Sequence, residues 1–263
     1  MKTCGLFAAN TMSDFFQTLQ ISPEGDSAIR VALGDTISPE AALAVRVFAA
    51  AVDAARLTGV VECVPAYCTV MVLYDPLRVS AHTLCQQLLK VSAQPFEGGI
   101  RGKTNPSISV EKSLATATAF RSAIEIPVCY GEEFGPDLDD VAAHCSLAGS
   151  DVVRLHSEAQ YTVACVGFVP GFAYLLGLSD DIAVPRLPQP RIRVPAGSVA
   201  IGGAQTGIYP LETPGGWRLI GRTPLQLFGA ALERPALLAV GDRVRFLPIS
   251  RDEFVSFREG AER

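Results

Sequence analysis

The chain has 263 residues, of which 49% are hydrophobic and 19% are charged, and its net charge is −5. This length provides for one large domain or two ordinary ones, with enough apolar material for a packed core. The acidic balance argues against bulk binding to nucleic acid or to an anionic membrane, and no apolar run is long enough to span a bilayer.

The seven cysteines follow no disulfide or metal-binding framework. An odd number of cysteines in a chain without a recognisable export signal fits a reducing compartment, so we expect a cytoplasmic protein. Residues 1–11 are interpreted as an unstructured leader, because Met12 provides an alternative start. The sequence contains no HExxH motif and no paired metal ligands, so no metal is predicted.

Two strands and a helix open a predicted N-terminal domain over residues 14–92. Residues 16–21 and 28–33 are predicted strands, and the Pro-Glu-Gly-Asp turn between them is typical of a hairpin. Ser38 is predicted to cap a helix that ends at Gly59. The helical spacing of its apolar residues predicts a buried stripe formed by Leu43, Val47, Ala50, Ala54 and Leu57.

A second pair of strands and a second helix complete this domain. Residues 60–64 and 69–74 are β-branched runs, and Ser80 is predicted to cap the helix that follows them. The order β-β-α-β-β-α predicts an α+β domain with its helices on one face of a sheet. Residues 93–119 are rich in Pro, Gly, Ser and Thr, which indicates a linker.

The linker contains the sequence GGIRGKT, which looks like a phosphate-binding P-loop. That motif needs four residues between its first glycine and the Gly-Lys pair, but three separate Gly98 from Gly102. The residues Asn105-Pro106 also follow where a helix should begin. No P-loop is therefore predicted, and Lys103 is interpreted as a solvated linker charge.

Residues 120–252 are predicted to form a second, all-β domain. Two helices are nevertheless expected within it, over residues 137–147 and from a cap at Ser150 to Leu155. Many short strands separated by turn signals predict a closed or nearly closed barrel. The predicted strands cover residues 123–129, 161–168, 198–201, 207–209, 218–220 and 243–247.

Residues 167–228 combine Gly, Pro, aromatic and Arg residues more densely than any other stretch. This composition is typical of loops shaped around a ligand, and the tight turns of a small barrel explain it equally well. Pro170 followed by Gly171 predicts a tight turn. The flanking Phe168 and Phe172 would then form an apolar wall.

Four polar or aromatic residues in or near this stretch are candidates for chemistry. Arg191 lies among prolines that would hold its guanidinium in place for a carboxylate or phosphate. Gln205 follows a glycine pair and can both donate and accept, which suits an amide. His156 is the best general acid or base of the three histidines. Trp217 is a further candidate, although a lone Trp is more often a core residue.

Three long motifs in order resemble the family of the 5-oxoprolinase B subunit. They are GFVPGFAYL from Gly167, PRLPQPRIRVPAGSVAIGGAQTGIYP from Pro185 and PGGWRLIGRTP from Pro214. This family is also called allophanate hydrolase subunit 1 or carboxyltransferase C/D, and it includes a bacterial inhibitor of a sporulation histidine kinase. Further landmarks in the N-terminal half extend the resemblance to nearly everything after Phe16.

The resemblance implies an α+β domain followed by a cyclophilin-like β-barrel. It also implies one component of an ATP-dependent 5-oxoprolinase, which opens 5-oxo-L-proline to L-glutamate. The expected partners are homologues of the A and C subunits of that enzyme, with ATP bound in their company. Two alternatives stay open: a component of carboxyltransferase type that acts on urea- or allophanate-like substrates, and a binding protein that inhibits a histidine kinase.

On the positions that match the motifs, we assign roles by inference. Arg191 and Arg222 would stabilise developing negative charge. Gln205 and Tyr209 would orient the substrate, and His156 would move a proton. The expected substrate contacts are Phe168, Pro170, Phe172, Gln205, Thr206, Tyr209 and Trp217.

Overall fold

The computed structural model describes residues 15–16, 18–93, 123–231 and 233–261. These residues fall into two compact units, one before and one after the predicted linker. The interpreted leader, most of the linker and its GGIRGKT sequence lie outside the described residues. Within the described part of the chain, no helix is long and apolar enough to cross a membrane.

The first unit is a four-stranded antiparallel sheet with two helices. Its strands lie in the order β1-β2-β4-β3. Both predicted helix caps are present, since the hydroxyls of Ser38 and Ser80 accept from the backbone N–H groups of Ala41 and Thr83 at 3.1 and 3.2 Å. The elements are β1 (Gln20–Pro23), β2 (Ala28–Ala32), α1 (Pro39–Ala55), β3 (Val60–Ala66), β4 (Thr69–Tyr74) and α2 (Ala81–Ser92).

The buried stripe predicted on α1 is wrong in phase. Val47 is the only one of its five residues that is buried. The buried face is centred on Phe48 instead, with Ala44, Val45 and Val52 one turn away. Arg46 and Asp53, two turns apart, lie on the side of α1 opposite Phe48, and this polar side was the missed signal.

The second unit is built on a closed barrel of seven strands, which confirms the predicted barrel. Around the barrel the order is β10-β7-β6-β13-β5-β12-β9, and β9 pairs with β10 to close it. A separate ribbon pairs β8 with β11. The strands are β5 (Ile124–Tyr130), β6 (Tyr161–Val166), β7 (Ala173–Leu176), β8 (Arg191–Val194), β9 (Ser198–Ile201), β10 (Thr206–Ile208), β11 (Thr213–Gly215), β12 (Arg218–Arg222) and β13 (Arg243–Pro248).

The described part of this unit contains three α-helices and a short 3-10 helix (Asp180–Ile182), so the description all-β is too narrow. The α-helices are α3 (Leu138–Cys145), α4 (Gly149–Glu158) and α5 (Arg251–Ala261). The predicted cap at Ser150 is wrong, because α4 already begins at Gly149 with Ala148 in the capping position.

Helix α5 extends beyond residue 252, where the second domain was predicted to end. Ser250 and Glu253 form a reciprocal capping box at its start: the Ser250 N–H donates to Glu253 Oε2 at 2.7 Å, and the Glu253 N–H donates to Ser250 Oγ at 3.3 Å. This Ser-x-x-Glu spacing is visible in the sequence and was the missed signal.

Candidate functional site

An aromatic cluster covers part of the barrel's outer face. Because side chains alternate along a strand, Val199 and Ile201 of β9 point into the barrel core and Ala200 points outward. Phe172 lies at the centre of the outer cluster, with its ring centroid 5.1 Å from that of Tyr209 and 5.6 Å from that of Trp217. Three predicted substrate contacts therefore lie together, and all three are buried by one another.

The packing of these rings explains the glycines beside them. A Cβ atom at Gly202 would lie 2.6 Å from the Trp217 ring, and one at Gly207 would lie 3.0 Å from the tip of Phe172. Glycine is needed here so that an aromatic ring can lie against the backbone. These two glycines need no ligand to account for them.

The predicted tight turn is present and displays an aromatic ring at the surface. The Phe172 N–H donates to the Val169 carbonyl at 3.1 Å, and Gly171 has a φ of 81°. Phe168 also has a positive φ, 69°, which is uncommon for a bulky residue, and it is 61% exposed. Pro170 is exposed beside it. The surface of this turn therefore offers a flat apolar wall.

A groove lies close to this turn. A Cβ atom at Gly171 would approach the Cβ of Phe228 to 2.9 Å, so the turn packs on the segment that follows β12. Residues 224–226 of that segment and helix α5 enclose a volume of about 650 Å³. None of the predicted site residues lines this groove, although Arg222 is two residues away along the chain. Its lining from α5 is Asp252, Glu253, Ser256, Phe257 and Gly260.

Arg222 lies at the end of β12, opposite Ser198 of β9 and Cys129 of β5. Its Nε atom is buried and has no hydrogen-bond partner. Burial lowers the pKa of its guanidinium, and the positive charge of Arg258 lowers it further. Among the described residues no carboxylate forms an ion pair with Arg222.

Arg191 is held by a buried carboxylate. Its Nη2 donates to Asp137 Oδ1 at 2.6 Å, and Asp137 is 3% exposed. The second carboxylate oxygen accepts from the Leu219 N–H at 2.7 Å, which fixes the carboxylate to β12. The charge of Arg191 is thus already balanced, although its Nη1 is buried without a partner. Arg193 is exposed and pairs with Glu212, as expected for a surface residue.

His156 lies in the barrel core with no exposed surface. Its Nδ1 accepts from the Tyr130 hydroxyl at 2.8 Å, and its Nε2 is 2.9 Å from the Thr206 hydroxyl. Thr206 donates its single hydrogen to the Ala200 carbonyl at 3.0 Å, so Nε2–H donates to Thr206. Burial lowers the pKa of His156 to about 3.

This arrangement argues against two of the expected site roles. His156 is neutral, with both nitrogens satisfied and no path to a substrate, which does not suit a proton carrier. Thr206 is fully buried in the same network, so it is not placed to touch a substrate either. Both residues are better explained as buried polar groups with complete hydrogen bonding.

Gln205 lies away from Arg222. It is half-buried in the hairpin between β9 and β10, where its backbone carbonyl accepts from the Gly202 N–H at 2.9 Å. Arg222 pairs with Ser198 at the other end of β9, and four residues of strand span about 10 Å. This register therefore separates Gln205 from Arg222. Metal-binding groups of three or more His, Cys, Asp or Glu residues are absent from the described ranges.

Comparison with known proteins places the fold and its motifs in a family. Residues 19–238 match the carboxyltransferase domain, subdomain C and D. This match covers most of the chain, so the chain belongs to that family. The matched range includes most of the described residues of both units.

Two curated relatives share a name. The chain is 41% identical to the 5-oxoprolinase B subunit of Bacillus subtilis strain 168, over 91% of this chain and 97% of the relative. It is 58% identical to the 5-oxoprolinase B subunit of Escherichia coli O157:H7, over 48% of this chain and 57% of the relative.

Two solved structures share the fold. One is TTHA0988, with 35% identity and a TM-score of 0.67, over 85% of this chain and 40% of that one. The other is the K. lactis urea amidolyase, with a TM-score of 0.71 over 97% of this chain and 16% of that one. At 19% identity the second likeness concerns the fold alone.

Proposed function

We propose that this chain is one subunit of a 5-oxoprolinase, which opens 5-oxo-L-proline to L-glutamate in a reaction coupled to ATP hydrolysis. The observation that carries the proposal is the 41% identity to a protein named as the 5-oxoprolinase B subunit, over 97% of that protein's length. The same name recurs for relatives at 58% and 52% identity over about half of this chain. The barrel is proposed to be the cyclophilin-like domain that the motifs imply.

The lactam of 5-oxo-L-proline is an unstrained amide, so its carbonyl must be activated before water can attack it. Transfer of the γ-phosphoryl group of ATP to the lactam oxygen, with ADP as the leaving group, would make the carbonyl carbon more electrophilic. Addition of water and cleavage of the C–N bond would then open the ring, and the phosphoryl group would leave as inorganic phosphate. We propose that ATP is held in the company of the partner proteins, the homologues of the A and C subunits, and we assign none of this chain's residues to it. A cytoplasmic location is part of the same proposal.

The side chains of this chain would bind and orient the substrate. Arg222 is the arginine with an unsatisfied buried donor and no acidic partner among the described residues, so it is proposed to face negative charge on the substrate. Phe168 and Pro170 are proposed to give the apolar wall, because both are exposed on the turn that packs near the groove. Tyr209 and Trp217 are proposed to support this wall from the aromatic cluster, through their ring contacts with Phe172.

The test is ATP-dependent release of glutamate from 5-oxoproline, measured with this chain alone and then with homologues of the A and C subunits. Turnover that requires the mixture is the expected result. Arg222→Ala should lower turnover by at least about tenfold, since a hydrogen bond to a charged group contributes about 1.5–3 kcal/mol. Arg193→Ala is the matched control, because Arg193 is exposed and bound to Glu212. An assembled mixture without turnover would contradict the proposal.

A further inference from the structure

A two-stranded ribbon packs on the outer aromatic cluster of the barrel. Its strands β8 and β11 pair with each other, and in the part of the chain that the structure describes neither pairs with a barrel strand. Val194 of β8 is fully buried in the cluster, and Gly215 of β11 packs against the Tyr209 side chain. The inner side of the ribbon therefore holds it to the barrel.

A β-bulge turns an apolar side chain to the outer side of this ribbon. Arg191 of β8 pairs with Gly215 of β11. The next pair is Val194 with Thr213, so β8 takes three steps where β11 takes two. In a bulge of this kind two residues of one strand oppose one of its partner, which re-aims the side chains. The two residues between Arg191 and Val194 are both exposed, and Ile192 is 86% exposed.

The charge next to Ile192 is balanced. Arg193, the other bulged residue, donates two hydrogen bonds to Glu212, at 3.0 and 2.8 Å. Leu211, which precedes Glu212, adds further exposed apolar surface. The ribbon is also stiffened by proline, which restricts the conformations of a loop: Pro188, Pro190, Pro195, Pro210 and Pro214. A pre-ordered support that presents an apolar side chain beside a balanced charge suits the apolar centre and polar rim of a protein interface.

Ring contacts connect the ribbon to the exposed aromatic turn. Tyr209 lies against β11, and its ring centroid is 5.1 Å from that of Phe172. Phe172 is in turn 5.6 Å from Phe168, which is exposed through a positive φ of 69°. Single apolar residues on a surface are ordinary. Ile192 and Phe168 are both displayed by uncommon backbone geometry beside the same cluster, which indicates a surface built for contact.

The relatives indicate what covers this surface. The chain matches 97% of the Bacillus subtilis relative, so the matched unit occurs there as a separate chain. At 35% identity it matches 40% of the TTHA0988 chain, so the same unit is joined there to a longer remainder. Such a joint holds two bodies at a high effective concentration, which favours contact between them. Where the unit is a separate chain, the same contact has to form between two proteins.

We propose that the outer side of the β8–β11 ribbon, with Ile192 at its centre, docks a partner protein that is homologous to the unmatched part of the TTHA0988 chain. The partner would offer an apolar pocket to Ile192. The inference rests on the proposed function in one respect, since Phe168 and Pro170 are proposed there to form the substrate wall. A partner docked on the ribbon would lie beside that wall and shield the substrate from water.

The test is calorimetric titration of the full chain with the separately encoded partner homologue from the same organism. Saturable binding is expected, and its absence overturns the proposal. Ile192→Asp should weaken binding by at least about tenfold, because it places a carboxylate in an apolar contact. Ile192→Val should weaken it by no more than about fivefold, since it removes one methylene group.

Val61→Asp is the matched control. Val61 is a β-branched residue that is 71% exposed on β3 of the first unit, so this variant should leave the affinity unchanged. Equal weakening by Val61→Asp and Ile192→Asp would show a general effect of added charge and would overturn the assignment. An unchanged affinity in Ile192→Asp would overturn it as well.

Two measurements on the chain alone exclude other occupants of the surface. Sedimentation should give the same mass for the unsubstituted chain and for Ile192→Asp, and a dimer that the variant dissociates would assign the surface to a second copy instead. Urea unfolding should also be unchanged in Ile192→Asp, because the residue is exposed. A marked loss of stability would show that Ile192 packs within the chain, which overturns the proposal.

Turnover in the reconstituted mixture separates this inference from the proposed function. With limiting partner Ile192→Asp should lower turnover, and excess partner should restore it, because the variant affects association alone. Turnover that Ile192→Asp leaves unchanged with limiting partner overturns the docking surface alone. Docking that Ile192→Asp weakens, in mixtures that never release glutamate, contradicts the 5-oxoprolinase proposal alone.

Discussion

The core around His156 and the barrel end around Arg222 differ in whether their buried polar atoms have hydrogen-bond partners. Every polar atom of the His156 side chain is satisfied by Tyr130 or Thr206, and the chain of hydrogen bonds ends on a backbone carbonyl. Arg222 has a buried donor without a partner and a second cation close by. Complete hydrogen bonding indicates a structural role, and an unsatisfied charge indicates a place where a ligand is expected.

The contrast between these two regions depends most on His156 being needed for stability. We expect His156→Ala to lower the free energy of unfolding by at least ~3 kcal/mol, since it opens a cavity beside Phe246 and leaves two buried hydroxyls short of a partner. Urea unfolding followed by circular dichroism measures the loss. His82→Ala on exposed α2 surface is the control and should change stability little. A loss below ~1 kcal/mol for His156→Ala would show that the network is not structural.

The next largest loss of stability is expected on substitution of Asp137. Asp137→Ala leaves Arg191 without its carboxylate and the Leu219 N–H without an acceptor, so we expect a loss of ~2 to 3 kcal/mol. The double variant with Arg191→Met should recover part of that loss, because the stranded cation is removed as well. Equal losses for the single and double variants would mean that Arg191 does not depend on Asp137.

The pH dependence of stability sharpens the comparison without changing the core. The pKa of His156 is about 3 in the folded chain against an ordinary value of 6.5. Between these pH values the unfolded chain binds a proton that the folded chain does not, so the free energy of unfolding falls as the pH drops below 6.5. One proton changes the free energy of unfolding by at most ~1.4 kcal/mol per pH unit. Above the ordinary pKa of 6.5 His156 adds no pH dependence, because it is neutral in both the folded and the unfolded chain.

Unfolding of the unsubstituted protein and of His156→Gln at pH 7, 6 and 5 measures this slope. In His156→Gln the free energy of unfolding should fall less steeply with decreasing pH, by the contribution of one proton. In His82→Gln the slope should match that of the unsubstituted protein. Identical slopes for the unsubstituted protein and His156→Gln would show that His156 takes up protons in the folded state.

The smallest effect is expected at the barrel end. Arg258→Gln removes a repulsive neighbour of Arg222, so stability should stay within about 0.5 kcal/mol of the unsubstituted protein or rise slightly. The measurement is the same urea unfolding curve, now in low salt, where repulsion between exposed charges is strongest. A marked loss of stability would mean that Arg258 has a structural partner, and the contrast with His156 would disappear.

Elements with local signals were predicted well. Ser38 and Ser80 cap their helices as their spacing indicates, and Pro170-Gly171 forms the expected turn. The capping box of α5 carried an equally local signal. Short strands such as β7, β8 and β11 were missed, because three or four residues among Gly and Pro carry no periodicity of their own and are strands only through their neighbours.

The assignment of site residues remains a prediction. Phe168 and Pro170 are exposed, and Arg222 forms no ion pair among the described residues. His156 looked reactive because a histidine titrates near neutral pH, and its burial removes that property. Arg258 was not considered, because its relation to Arg222 depends on how α5 packs on β5.

The sequence by itself determined the family, the presence of a barrel and the type of most elements, because motifs, caps and turns are local features of the chain. The tertiary structure alone decided which polar groups are satisfied. Hydrogen-bond partners such as Tyr130 and Thr206 for His156 come from residues 26 and 50 positions away. Whether a charged or polar side chain is structural or available to a ligand depends on those distant partners, and no local pattern records them.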